Sequence, residues 1–366
     1  MTMQATPSLD LAELTLRRHC PLVTCGQSVL RGERLATASA PGAGDIHTPI
    51  AGVVTHVDAY RIRVEARGHD EVEPVDLAAL SGKALYDKLL ELGVDLPPAD
   101  AVDTLIVNGV DAEQGVLTRA SLLASTPEPL EHGLKTIHAL YKPRLTTLAV
   151  LKGASIPDYD IQLTEIDHNY PAGLDPLVAL AVTGIEAPDH TEVIGLETVY
   201  HLGRVMRTGL PVLETPVTVD GKLAIVPVGM PVSRVLGEAG IVPAEGDRIV
   251  LGGFLRGEAA ALPTQGVDRS AVAVTLVRNP APVAEDVACV GCGECVRRCP
   301  ARLDPSMITS YAEFGLYDKA AQAHVEVCFE CGLCGFFCLA HRPMLQYIRL
   351  AKSELARARS REEVAL

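Results

Sequence analysis

Tryptophan is missing from this sequence, and the three aromatic residue types together make up only 4% of its 366 residues. Positive charge is also scarce, because 32 lysines and arginines face 46 aspartates and glutamates, which gives a formal net charge of -14. Nucleic-acid binding requires a surplus of lysine and arginine against the phosphates, and single-stranded sites add aromatic stacking. We therefore expect no nucleic-acid partner.

Long hydrophobic runs are lacking as well. The nearest candidate, Leu174–Ala187, falls short of the ~18 uncharged apolar residues of a membrane-spanning helix and contains Asp175 and Glu186. Residues 1–13 do not combine a basic stretch with a following apolar segment, which is the pattern of a secretory signal. These absences predict a cytoplasmic protein without a transmembrane helix.

Cysteine, by contrast, is abundant. The chain has ten cysteines, and eight of them lie between Cys289 and Cys338. Disulfides are disfavoured in a reducing compartment, so closely spaced thiols there are typical of metal ligands. The chemistry of this chain is therefore expected in its C-terminal quarter.

Two cysteine motifs share the spacing C-x2-C-x2-C-x3-C. The first is Cys289-Val-Gly-Cys292-Gly-Glu-Cys295-Val-Arg-Arg-Cys299-Pro300, and the second is Cys328-Phe-Glu-Cys331-Gly-Leu-Cys334-Gly-Phe-Phe-Cys338. In bacterial two-cluster ferredoxins, motifs of this spacing hold two 4Fe–4S clusters, and the fourth cysteine of each motif ligates the other cluster. Two structural zinc sites are the alternative, but zinc usually binds paired C-x2–4-C hairpins.

The crossed pattern predicts the ligands of both clusters. The first cluster is assigned to Cys289, Cys292, Cys295 and Cys338, and the second to Cys328, Cys331, Cys334 and Cys299. Glycines inside the motifs, at 291, 293, 332 and 335, allow the backbone to approach the sulfur atoms closely.

The remaining chain predicts an α+β multidomain protein. Residues 13–68 contain short apolar runs and glycine turns, which indicate a β barrel-sandwich hybrid. Gly26–Gly32 and His47–Val54 resemble the two halves of a biotinyl/lipoyl module, but Ala36–Asp45 has no lysine to carry a prosthetic group. The module is therefore expected to be structural.

Five further segments make up the rest of the predicted organisation, and one of them contains the cysteine motifs. Residues 75–211 alternate helical and strand patterns, which predicts a central α/β domain with a parallel sheet, and residues 212–260 follow the strand–helix–strand order of a β-grasp module. Ala261–Ala288 is interpreted as a proline-containing linker. An α-helical two-cluster ferredoxin domain is expected over 280–344, followed by a basic helix over 345–366.

The module order resembles the C subunit of the Rnf ion-translocating electron transport complex. The stretches that carry the resemblance are Val29–Gly32, His47–Gly52, Asp103–Gly109, Tyr170-Pro171, Leu180–Gly184, Val217–Val219, Val250–Gly253, Cys328–Cys331 and Leu345–Arg349. The resemblance implies electron transfer by a peripheral protein on the inner face of the cytoplasmic membrane. Its partners would be the membrane subunits and a ferredoxin, cytochrome or flavoprotein. Cobalamin-reductase-like proteins of microcompartments share this layout.

One departure from the family concerns the flavin and NADH site. The family's α/β domain is similar to the flavin- and NADH-binding subunit of respiratory complex I and carries a glycine-rich loop for the phosphates. Here the corresponding segment, Leu80–Leu89, has one glycine, and the following acidic segment reads Asp111-Ala-Glu-Gln-Gly115. FMN and NADH are therefore not expected to bind, and whether the chain is an enzyme by itself stays open.

Two other functions remain as alternatives. A self-contained NADH dehydrogenase would pass a hydride through a flavin to the clusters. A ferredoxin-fused binding module would instead hold a small ligand such as a cobalamin in its β-grasp part, without stable membrane association.

Minor signals lie at the two ends of the chain. Cys20 and Cys25 are interpreted as buried structural thiols, with a Cys/His metal site that includes His19, His47 and His56 as the alternative. Residues 341–366 carry six basic and three acidic residues. This excess fits either a solvated helix face or docking beside an anionic membrane surface or an acidic partner.

Overall fold

The computed structural model describes residues 9–17, 19–98, 102–280 and 288–365, and only the backbone of 360–365. The chain divides into two compact units. The first contains the chain up to Gly253 together with Glu258–Arg278, and the second contains Phe254–Gly257 and the chain from Asn279 onward.

The N-terminal part of the first unit consists of β-strands, as the short apolar runs predict. The strands are β1 (Leu11–Thr15), β2 (His19–Pro21), β3 (Ser28–Val29), β4 (Arg34–Ala38), β5 (Ile46–His47), β6 (Gly52–Val57) and β7 (Arg61–Ala66). They form one sheet in the order β1-β7-β6-β3 and another in the order β2-β4-β5. Alternation along β7 places Ile62 and Val64 in the core, where both are fully buried.

The middle of the first unit is a parallel sheet with helices. Its elements are α1 (Gly82–Glu91), β8 (Thr104–Asn108), α2 (Thr118–Ser125), α3 (Pro127–Tyr141), β9 (Leu145–Leu151), β10 (Gln162–Ile166), α4 (Asp175–Thr183), β11 (Thr191–Gly195) and α5 (Leu196–Thr208). The strand order is β10-β9-β8-β11, with every pairing parallel. Leu105, Ile106 and Val107 are consecutive and fully buried, because both faces of a parallel sheet are covered.

The last part of the first unit contains a strand where the sequence predicts a linker. Its elements are β12 (Glu214–Val219), β13 (Lys222–Pro227), α6 (Val232–Glu238), β14 (Arg248–Leu251), β15 (Glu258–Ala259) and β16 (Ala273–Val277), and the strand order is β13-β12-β16-β14-β15. The interpretation of Ala261–Ala288 as a linker is wrong for β16, which pairs with β12 and β14 in the middle of the sheet. The β-grasp module predicted to end at residue 260 therefore leaves out β16, a central strand of this sheet.

The second unit is helical. Its elements are α7 (Glu294–Arg297), α8 (Pro305–Glu313), α9 (Tyr317–Gln322), a 3-10 turn (Val325–Val327), α10 (Leu333–Phe336) and α11 (Met344–Ala365). Ile308, Ala320 and Ile348 are buried in its core. Among the described residues, no helix combines the length and apolar character needed to cross a membrane.

The basic residues of the C-terminal tail are mostly paired. The pairs are Arg342 with Glu313, Arg349 and Lys352 with Glu330, Arg357 with Glu354, and Arg359 with Glu326. Because five of the six basic residues contact carboxylates of the second unit, their charges support that unit internally. The sixth, Arg361, lies where the structure describes only the backbone.

Candidate metal centre

Each cysteine motif forms a loop that continues into a short helix. Gly293 precedes α7 and Gly332 precedes α10, with φ of 72° and 77°. This left-handed conformation favours glycine because it has no Cβ. The conformation turns the chain so that the third cysteine of each motif lies inside the helix that follows.

A cavity of about 240 Å³ is lined by cysteines of both motifs. Cys289, Cys292 and Cys295 come from the first motif and Cys338 from the second. The structure therefore brings together the four residues that the sequence assigns to the first cluster. Cys289 is exposed and Cys295 is buried, so this cavity reaches the surface on one side.

A smaller cavity of about 20 Å³ is lined by the other four cysteines. Cys328, Cys331 and Cys334 come from the second motif and Cys299 from the first. This is the set that the sequence assigns to the second cluster. Cys331 and Cys334 are both buried, so this cavity is the more enclosed of the two.

Backbone amides donate to several cysteine sulfurs. The N–H groups of Gly291 and Glu330 point at the Sγ atoms of Cys289 and Cys328 over 3.5 and 3.4 Å. Leu303 N–H donates to Cys299 Sγ over 3.4 Å. Such hydrogen bonds stabilise negative charge on sulfur and tune the reduction potential of a bound cluster.

Burial keeps the thiols of the enclosed cavity protonated in the absence of metal. Desolvation raises the pKa of Cys334 to about 12 and also raises the pKa of Cys328 and Cys331. Because iron binds the thiolate, cluster binding must release these protons. It must also offset the free-energy cost of desolvating the thiolates. The four-thiol donor set of each cavity fits an iron–sulfur cluster.

Glu330 is a feature of this site that the cysteine spacing does not reveal. It has φ of 53°, at the place where the first motif has Gly291. Its carboxylate accepts hydrogen bonds from Arg349 Nε at 2.9 Å and Lys352 Nζ at 2.8 Å, and Arg256 Nε donates to its carbonyl at 3.2 Å. Burial opposes ionisation, but these cations hold the pKa of Glu330 below its usual value. The sequence signal for this feature is the glutamate at 330, where the first motif has a glycine at 291.

We expect Gly332→Ala to destabilise the second unit more than the matched variant Gly293→Ala. A left-handed alanine costs both variants ~1 kcal/mol. A Cβ at Gly332 would also lie 2.4 Å from the carbonyl oxygen of Leu255, whereas one at Gly293 meets only the flexible end of Arg297 at 3.4 Å. Denaturant unfolding followed by cluster absorbance measures the difference, and equal losses would contradict this explanation.

The N-terminal cysteines do not behave as predicted. Cys20 and Cys25 are exposed, so their interpretation as buried thiols is wrong. Cys20 lies on β2, at the edge of its sheet, and Cys25 Sγ donates to Thr55 O at 3.2 Å. Within the described part of the chain, Cys20 and Cys25 do not join His19, His47 and His56 in a metal-ion site.

The segment in place of the glycine-rich loop is a packed helix. Leu85, Tyr86 and Leu89 of α1 are buried, and Tyr86 Oη donates to the carbonyl of Pro97 at 3.0 Å. The apolar spacing of this segment predicts such a helix. Its buried side chains pack this helix against the core of the first unit.

Polar side chains pair with each other where β8 and β11 end. This edge is the switch point of the parallel sheet, which is the usual ligand crevice of such folds. Here Asn108 Nδ2 donates to Asp175 Oδ1 at 2.7 Å, and Arg119 Nε donates to both carboxylate oxygens of Glu197 at 3.0 and 3.1 Å. These polar side chains are thus bound to one another.

A cavity of about 430 Å³ lies among the β-strands of the first unit. His19 and His47 line it, and the Nδ1 atom of each is buried without a hydrogen-bond partner in the described structure. Burial lowers the pKa of His47 to about 4, so its imidazole is neutral at pH 7. The lining also includes Asp95 and Arg269, which bind each other at 2.6 Å.

Comparison with known proteins agrees with the cysteine pattern. Residues 281–339 match the family described as 4Fe-4S dicluster domain. The chain is similar to proteins named as the C subunit of the ion-translocating oxidoreductase complex. Those of Salmonella gallinarum and Salmonella dublin are each 25% identical to it, over 94% of this chain. The predicted resemblance and the iron–sulfur domain are confirmed.

The chain spans 59% and 56% of the length of these two relatives, which is less than two thirds. Among solved structures, an NAD+-reducing NiFe-hydrogenase in its H2-reduced state is 15% identical with a TM-score of 0.43, over 72% of this chain and 61% of that chain. Similarity at that level carries no functional argument.

Proposed function

We propose that this chain transfers single electrons through two 4Fe–4S clusters as the C subunit of an Rnf-type ion-translocating oxidoreductase complex. The observation that carries the proposal is the pair of cavities, each lined by three cysteines of one motif and the fourth of the other. The names of the curated relatives support the same function.

The ligands would be Cys289, Cys292, Cys295 and Cys338 for the first cluster and Cys328, Cys331, Cys334 and Cys299 for the second. A bound cluster supplies one-electron redox chemistry. The chain supplies thiolates, amide donors to sulfur and a buried surrounding for the second set. Since Cys289 is exposed and Cys331 and Cys334 are buried, electron exchange with a partner is assigned to the first cluster.

The electron donor is proposed to be a protein. Two features support this proposal: the segment of α1 has one glycine and a packed apolar face, and Arg119 is paired with Glu197 near the ends of the parallel strands. A ferredoxin, cytochrome or flavoprotein would then deliver electrons, and membrane subunits would hold the chain at the inner face of the cytoplasmic membrane.

Anaerobic reconstitution tests the proposal. We expect about eight irons and about eight sulfides per chain, as two 4Fe–4S clusters require, and paramagnetic signals of both after reduction. Zinc in place of iron, or fewer than two clusters, would contradict the proposal. Coexpression tests the membrane partners, because the chain should sediment with membranes only when the integral subunits of the complex are present.

A second candidate function is small-molecule binding in the first unit. The cavity of about 430 Å³ lies in the size range of drug-sized ligands, and the unpaired Nδ1 atoms of His19 and His47 would accept hydrogen bonds from such a molecule. It would enclose only part of a cobalamin. Native mass spectrometry of the purified chain should then reveal a bound molecule that is lost in Ala43→Phe, which fills the cavity. A wild-type chain that retains nothing would exclude this function.

A further inference from the structure

Arg342 is a buried cation beside the first cysteine cavity. The residue is 6% exposed and lines that cavity together with Cys289, Cys292, Cys295 and Cys338. It lies in the loop between the second motif and α11. In the sequence it stands out only as one of the basic residues of the tail.

The contacts of Arg342 hold its guanidinium in place but leave one donor free. Its Nη2 donates to the carboxylate of Glu313, and its Cζ lies 5.8 Å from the ring centroid of Tyr347. Its Nε is buried and has no hydrogen-bond partner in the described structure. Leaving a buried charged donor unpaired is costly, so this Nε–H favours any acceptor that comes within reach.

The groups that line the cavity offer hydrogen-bond acceptors for this Nε–H. Asp304, which also lines the cavity, already accepts from Met307 N–H at 3.0 Å as the cap of α8. The sulfur atoms around the cavity are further acceptors, and they carry negative charge once iron is bound. Among the described residues, the lining of the second cavity contains no arginine or lysine; Arg349 and Lys352 bind Glu330, which lines it.

We propose that Arg342 tunes the first cluster by donating its Nε–H to a sulfur of that cluster. The inference rests on the proposed function, since it requires a cluster bound by the four cysteines around the cavity. A buried positive charge and a hydrogen bond to sulfur stabilise the reduced form more than the oxidised form, because reduction adds negative charge. Arg342 thereby raises the reduction potential of the first cluster and leaves the second almost unchanged.

Redox titrations followed by electron paramagnetic resonance test this role. In Arg342→Gln we expect one of the two midpoint potentials to fall and the other to stay, and in Arg342→Lys a smaller fall, because the charge remains but the Nε–H is lost. The matched control is Arg357→Gln, since Arg357 is exposed on α11 and pairs with Glu354. It should change neither potential. Two unchanged potentials in Arg342→Gln with full iron content would overturn the inference.

A second measurement does not depend on the folding of the glutamine variant. Wild-type protein labelled with ¹⁵N-arginine should show a nitrogen hyperfine coupling to one reduced cluster, and Arg342→Lys should lack it. Absence of this coupling in the wild type would overturn the inference. Failure of the wild type to hold two clusters would instead count against the proposed function, so the two failures are distinguishable.

Discussion

Replacing Cys299 with serine is expected to remove the cluster of the second motif, although Cys299 belongs to the first. Its thiol lines the same cavity as Cys328, Cys331 and Cys334. A serine hydroxyl is a poor substitute for a thiolate toward iron–sulfur clusters. Iron content should fall from about eight to about four per chain, and the paramagnetic signal of one cluster should disappear while the other is retained.

The reciprocal variant and a matched control complete this test. Cys338→Ser should remove the other cluster, because Cys338 lines the cavity of the first motif. Cys25→Ser should retain both clusters, because Cys25 is exposed and belongs to neither set. Loss of the same signal in Cys299→Ser and Cys295→Ser would show that each motif binds its own cluster, contrary to the crossed assignment.

NADH alone is expected to leave the iron–sulfur absorbance of the reconstituted protein unbleached, with or without added FMN. The packed helix α1 offers no glycine-rich loop for the phosphates, since Leu85, Tyr86 and Leu89 are buried in the core. At the strand ends, Arg119 and Glu197 are paired with each other. Anaerobic titration with NADH, FMN and both together measures the effect.

The control for the NADH titration is a reduced ferredoxin or dithionite added to the same sample. Bleaching by this reductant shows that the clusters accept electrons. Rapid bleaching by NADH at stoichiometric FMN would instead establish a working flavin site and favour the self-contained NADH dehydrogenase.

The cysteine motifs could be interpreted from the sequence because their geometry is mostly local. Three cysteines separated by two residues each, with Gly291 and Gly293 in the loop, have few ways to place their sulfur atoms. The helix α1 was likewise expected from the spacing of Leu85 and Leu89. For the first three cysteines of each motif and for α1, neighbouring residues along the chain decide the structure.

Features that depend on distant partners were missed or misjudged. Strand β16 lies between prolines and was interpreted as linker, yet it pairs with β12 and β14, which are distant in sequence. The sequence predicts buried thiols at Cys20 and Cys25, but Cys20 lies on the edge strand β2 and Cys25 in the turn before β3, and both are exposed.

The sequence by itself determined the chemistry of this protein, through eight cysteines in two motifs of one spacing. Only the tertiary structure decided what surrounds them. The left-handed Glu330 with its cations and the buried Arg342 with its free Nε come from chain segments that meet on folding. The cysteine ligands can be predicted from residue type and spacing. The burial and charge around them depend on residues that are distant in the sequence and meet only in the folded chain.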